Sequence, residues 1–323
     1  SEWQGQCMCD ECRAAMDEGL PQHALETQVV GEALASIQED MPEFGARVLL
    51  TQGSYPVNEE VLAAAQPWLD VSYYCGAGRP TSTYNSSPEP MVHPLIEEFA
   101  ADRWLGVYPQ FTASFALVCP WSCPQFMKYR MDEFAAKSCE SVCGYTVPNN
   151  QLHEFNVLAA AEWGWNVDGR TPREFAIAWA TRKGIDDAEA VGDWAETLGP
   201  VSWRIYGAPK GCGNHIALLT NAANALGTGA APELGSGIWR YYDRVEAMEE
   251  DLRTCAEARR IAERLDVPEL VEESRVVQAY AMMVRRLYEV GTLLRSEDVS
   301  SAEVRRQLQE AMTALANAGL QGG

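Results

Sequence analysis

Apolar and polar residues follow two different rhythms along this chain, and the change of rhythm divides it near residue 168. In the first part, short apolar runs read as strands: Arg47–Gln52 (RVLLTQ), Leu69–Cys75 (LDVSYYC), Trp104–Phe111 (WLGVYPQF) and Val142–Thr146. Helical stretches separate them. Gln22–Glu39 places Ala24, Val29, Ala33 and Ile37 on one face, and further helices are predicted over Glu59–Gln66, Val92–Ala101, Pro124–Lys137 and Leu152–Trp163. Strands that alternate with helices pair in parallel through right-handed crossovers. From Thr171 onward no strand is predicted. Thr171-Pro172-Arg173-Glu174 reads as a helix start, with a capping hydroxyl, Pro at the first position and Glu at the third.

Two long helices are predicted beyond it. In Ile238–Leu265 the residues Ile238, Tyr241, Val245, Met248, Leu252 and Cys255 recur at spacings of three and four. Leu270, Ser274, Val277, Ala281, Val284, Tyr288 and Gly291 do so in the second. The Asp266-Val267-Pro268 turn joins them as an antiparallel pair, which Ala302–Leu315 extends into a bundle. The fold class expected is therefore α/β followed by all-α. Residues 1–168 form the C-terminal half of a (β/α)8 barrel, and residues 169–323 a helical bundle domain with no site of its own. Ser1–Trp3 then falls just past the fourth strand of the whole barrel, and the first half of the barrel is expected to precede it.

Composition narrows the partners. The 323 residues are 47% hydrophobic and include ten Trp, as a packed globular chain requires. The formal net charge of −21 repels phosphate backbones and anionic lipid, so nucleic acid is not an expected partner. No apolar run approaches the roughly 20 residues of a membrane-spanning helix, so no membrane partner is expected either.

The candidate chemistry lies on the turns that leave the strands, because a β/α barrel works at the carboxyl ends of its strands. The last such turn carries Thr146, Pro148, Asn149, Asn150 and Gln151. Aromatic rings stack on the apolar faces of sugars, and Tyr73, Tyr74, Tyr84, Tyr108 and Trp121 all sit at or past strand ends. Gln52, Asn85, Asn149 and Asn150 offer hydrogen bonds to sugar hydroxyls. Glycoside cleavage needs a carboxylic acid to protonate the leaving oxygen, kept neutral by apolar surroundings. Glu2 beside Trp3 suits that role by type, Glu154 is the second candidate, and Glu162 reads as a structural hydrogen-bonder. His93 and His153 lack metal spacing and read as structural. No cofactor is expected.

Ten Cys do not make a disulfide scaffold in a chain of this length. Cys7-Met8-Cys9-Asp10-Glu11-Cys12 has three thiols that must lie close together. They could be zinc ligands, but the second Cys pair of a zinc ribbon is missing nearby. The favoured reading is a tight loop with reduced or paired thiols and no metal. A Cys119–Cys123 disulfide is also open.

Taken together these residues resemble the hexosaminidase-like glycoside hydrolases. The likeness rests on Glu2-Trp3 beside the Cys7-x-Cys9-x-x-Cys12-Arg13 segment, on the Tyr73–Asn85 strand end and loop, and on Glu154-Phe155-Asn156…Ala161-Glu162-Trp163…Trp165-Asn166. It implies a barrel enzyme that hydrolyses N-acetylhexosamine-containing or related glycans, with Glu2 on the loop after strand four that holds the acid. Many relatives place two adjacent acids there, whereas Glu2 follows Ser1. The alternative is a non-catalytic carbohydrate-binding protein on the same scaffold. A metal-dependent hydrolase using the Cys cluster is the third class.

Overall fold

A computed structural model of the chain describes residues 7, 9–50, 55–74, 88–109, 111, 119–144, 153–207, 215–296 and 298–322. The chain forms two compact units. The first takes Ser1–Tyr84, Glu89–Pro109 and Glu133–Tyr145; the second takes Asn85–Pro88, Gln110–Asp132 and Thr146–Gly323.

The first unit is built on four strands, β1 (Arg47–Leu50), β2 (Asp70–Tyr74), β3 (Leu105–Tyr108) and β4 (Ser141–Val142). Every pairing is parallel and the spatial order is β1-β2-β3-β4. The first three expected strands are present, each shorter than its apolar run. The fourth, expected over Val142–Thr146, is a two-residue pairing at Ser141–Val142, and Tyr145 and Thr146 lie outside the described residues. Side chains alternate across a strand, and the register sorts them. Leu50, Val71, Tyr73, Leu105 and Val107 are buried on one face. Leu62 and Ile96, from α3 (Tyr55–Ala64) and α4 (Pro94–Phe99), are buried in the same unit. The other face carries Leu49, Ser72, Tyr74, Gly106 and Tyr108, and Leu49 there is 49% exposed. Trp104 folds over Gly106, where a β-carbon would come within 2.3 Å of the indole, so any other residue there would have to displace the ring. The Arg47 guanidinium lies 3.8 Å from the centre of the same ring system.

Two helices open this unit, α1 (Asp10–Asp17) and α2 (Gln22–Asp40). His93 caps α4, its ring nitrogen accepting the Leu95 N–H at 3.1 Å, and Pro94 occupies the first turn, where a missing N–H costs nothing. Burial, followed by the charge of Lys137, lowers the His93 pKa. The Glu133 carboxylate accepts the Val92 N–H at 2.7 Å, which ties the approach to α4 onto α5 (Pro124–Ala136).

In the second unit no strand occurs among the described residues. It contains α6 (Glu154–Trp165), α7 (Pro172–Lys183), α8 (Ala188–Gly207), α9 (His215–Gly227), α10 (Val245–Leu265), α11 (Pro268–Leu293) and α12 (Ala302–Gly322). The capping box at Thr171 is complete: the hydroxyl accepts the Glu174 N–H and the Glu174 carboxylate accepts the Thr171 N–H at 2.8 Å. Helix α10 ends at Asp266, whose φ of 53° is the left-handed turn that reverses the chain into Pro268 at the start of α11. Helix α11 packs against both α10 and α12, as the heptads predict.

One boundary differs. Ile238 and Tyr241 continue the spacing of α10 but lie outside it, in and after a short 3-10 turn at Gly237–Trp239. Gly235 and Gly237 adopt positive φ, and the Gly235 N–H bonds to the carbonyls of Trp239 and Tyr242 in a closed loop. Ile238 is still buried, so the spacing reports burial there without a helix.

Candidate functional site

At the carboxyl ends of β2 and β3 the register makes Tyr74 and Tyr108 direct neighbours. Their rings are 5.3 Å apart and tilted by 48°, and both are half-buried. This is the one pair of expected sugar-contacting residues that the described structure brings together. Glu2, Trp3, Gln52, Tyr84, Asn85, Asn149 and Asn150 lie outside the described residues.

Two aromatic assignments are corrected. Tyr73 alternates to the opposite face from Tyr74 and is only 2% exposed, so its ring belongs to the core of the sheet unit. Trp121 is fully buried in the second unit, with Phe126 and Tyr206 against its ring. Its indole N–H donates to the Ser202 hydroxyl at 3.1 Å. Neither ring has a face to offer a ligand.

Glu154 opens α6 at the surface, half-exposed, with its carboxylate 2.5 Å from the Lys183 ammonium. Glu162 pairs with Arg170, and Trp163 beside it donates to the Arg170 carbonyl at 2.8 Å. His153 is fully buried and its ring nitrogens make no hydrogen bond; burial lowers its pKa to about 4.

No site is expected in residues 169–323, yet the second unit joins Glu273, Ser202 and Asp251 of that stretch with Ser122 and Asn156 of the expected barrel half as buried polar groups. The segment 119–123 (CPWSC) runs through it. The Glu273 carboxylate accepts the Ser122 backbone N–H and, at 2.8 Å, the Ser122 hydroxyl. Burial raises the Glu273 pKa to about 7 against those hydrogen bonds, which lower it. The Cys123 N–H donates to the Asn156 amide oxygen at 2.9 Å, and the Asn156 amide donates to the Phe111 carbonyl at 3.1 Å. Cys119 and Cys123 are free buried thiols, not a disulfide, and burial raises both to about 12. Pro200 has no N–H and sits inside α8, and the preceding Gly199 carbonyl accepts from Cys123 Sγ and, at 2.8 Å, from Ser202 Oγ. Nearby in sequence on α10, Asp251 accepts the Tyr242 hydroxyl at 2.8 Å and pairs with Arg204. A signal for these acids was present: Glu273 falls between Leu270 and Val277, and Asp251 between Met248 and Cys255, on the apolar stripes of their helices. In this cluster Ser122, Glu273, Asn156, Ser202 and Asp251 each hydrogen-bond to another protein group, which is the condition for a buried network to hold a core together.

The thiols of Cys7, Cys9 and Cys12 converge as their spacing requires, with all three sulfurs within 4.8 Å of one another. Cys9 is the N-cap of α1 and its sulfur accepts the Cys12 N–H at 3.4 Å, which with the neighbouring thiols lowers the Cys9 pKa. Hydrogen bonding from Cys12 to its two neighbours pushes the Cys12 thiol up to about 12.

No protein-family model matches the chain, and no curated protein sequence matches it. Among the described residues no helix is long and apolar enough to cross a membrane.

Proposed function

We propose that the chain is a glycoside hydrolase of the hexosaminidase type, acting on N-acetylhexosamine-containing or related glycans, with its sheet as one arc of a (β/α)8 barrel. The observation that carries this reading is the Tyr74–Tyr108 pair at the carboxyl ends of adjacent parallel strands, the end at which such barrels do chemistry.

Two features of the sheet support it. The order β1-β2-β3-β4 runs without the reversal that defines the ligand crevice of an open doubly wound sheet. Open parallel sheets are covered by helices on both faces, whereas here Leu49 is 49% exposed on the face of Tyr74 and Tyr108. In a closed barrel that face is the interior, filled from all of the strands.

In this reading Glu2 donates the proton to the leaving oxygen, Tyr74 and Tyr108 stack on the sugar, and Asn149 and Asn150 hold its hydroxyls. One observation favours the non-catalytic alternative. Glu154, the other acid candidate, is water-exposed beside Lys183, whereas a proton donor needs apolar walls.

Hydrolysis of an aryl N-acetylglucosaminide decides between the two. Turnover that falls by on the order of a hundredfold in Glu2→Gln, with sugar affinity retained, fits the enzyme. Sugar binding without turnover fits the binding protein. Neither binding nor turnover with any N-acetylhexosamine glycan ends both readings.

A further inference from the structure

We propose that Cys7, Cys9 and Cys12 form a three-thiolate site for a thiophilic divalent metal of the zinc type. The three sulfurs already lie within 4.8 Å of one another. Tetrahedral zinc with bonds of about 2.3 Å holds its sulfurs about 3.8 Å apart, so the widest gap has to close by only about 1 Å. Rotation of exposed side chains supplies that. Cys9 holds an extended N-cap conformation, φ −66° and ψ 161°, and accepts the Cys12 N–H. That bond keeps two of the sulfurs on one side of the first turn, and it is the kind of outer contact that orients a metal ligand.

A second observation points the same way. Helix α1 is eight residues long and buries none of them, and a helix this short is unstable in water without outside support. Its packing is limited to a partly buried face toward α2, and a metal held by Cys9 and Cys12 and by Cys7 ahead of the cap would add to that support.

Two other accounts of the cluster fit less well. Cys7 and Cys9 are exposed, so apolar packing does not hold the thiols that the short spacing brings near one another. A disulfide uses two of the three sulfurs and strands the third, and all three are free thiols. The fourth coordination position goes to solvent. The proposal is independent of the glycosidase reading.

The test is zinc content of the whole chain, purified under reductant, exposed to zinc and freed of loose ions. About one zinc per chain is expected, lost in Cys9→Ser and in Cys12→Ser and kept in Cys143→Ser, an exposed thiol outside the cluster. Cobalt(II) in place of zinc should give a thiolate charge-transfer band that the two cluster variants lack. Wild-type protein that keeps no zinc, or a Cys9→Ser protein that keeps as much as wild type, overturns the proposal. Should a variant fail to fold, alkylation of the wild type decides. Zinc should shield the three thiols from reagent, and equal labelling with and without zinc overturns the site.

Discussion

The two units treat many of their polar and aromatic groups differently. The helical unit buries several and pairs them, Trp121 with Ser202, Trp194 with Ser274, Ser122 with Glu273 and Cys123 with Asn156, although the His153 ring is buried there without a hydrogen bond. The sheet unit leaves Tyr74, Tyr108, Trp104 and Ser72 half-exposed on one face, and places three thiols at an exposed helix start. A buried and satisfied network fixes one packing arrangement. Of the half-exposed groups, Tyr74 and Tyr108 stand at the carboxyl ends of β2 and β3 and keep part of their rings at the surface. The difference directs functional tests to the sheet unit and stability tests to the helical one.

Trp121→Ala tests that division most severely. Loss of a fully buried indole should cost about 3–5 kcal/mol of unfolding free energy, with no specific change in sugar affinity of whatever protein remains folded. A drop in affinity out of proportion to the folded fraction would return Trp121 to the binding residues.

Next in size is a pH effect from Glu273. Its carboxyl titrates near 4.5 in the unfolded chain and is raised to about 7 in the fold, where burial disfavours the charge. Between these values the folded state holds the extra proton, so stability falls as pH rises from 4.5 to 7 and is then flat, by on the order of 3 kcal/mol in total. His153 acts in the opposite direction. Burial lowers it from 6.5 to about 4, so between those values the unfolded state holds the extra proton and stability rises with pH. Comparing wild type with Glu273→Gln at each pH isolates the first term, since Gln keeps the shape and cannot ionise. A stability difference that does not change between pH 4.5 and 7 would show that Glu273 is not the source.

A smaller effect is expected at the sheet rim. Tyr108→Ala should leave unfolding within about 1.5 kcal/mol of wild type while weakening sugar binding about tenfold, since stacked rings contribute at that scale. Isothermal titration with an N-acetylhexosamine oligosaccharide reads the affinity, and unchanged binding would take the ring pair out of the site. Smallest is Thr171→Ala, which removes the capping hydroxyl from α7 and should cost about 1 kcal/mol in denaturant unfolding, with no effect on sugar. Thr171→Asp, which keeps a capping oxygen, should recover most of it.

Particular elements show how much could be read in advance. The strands of RVLLTQ and LDVSYYC, the capping box at Thr171 and the α10–α11 turn follow from local spacing and cap chemistry, which act over a few neighbouring residues. Their interactions are written in adjacent positions, so the sequence determined them by itself, along with convergence of the three thiols near α1. It also determined that Tyr73 and Tyr74 face opposite ways, since side chains alternate along a strand, but not which of the two is buried. That choice needs the neighbouring strands. Likewise the burial of Trp121 and the pairing of Ser122 with Glu273, 151 positions apart, arise only when distant helices meet. An isolated Glu on an apolar stripe marks a position without naming its partner, because desolvation and hydrogen bonding depend on which groups the tertiary fold brings within reach.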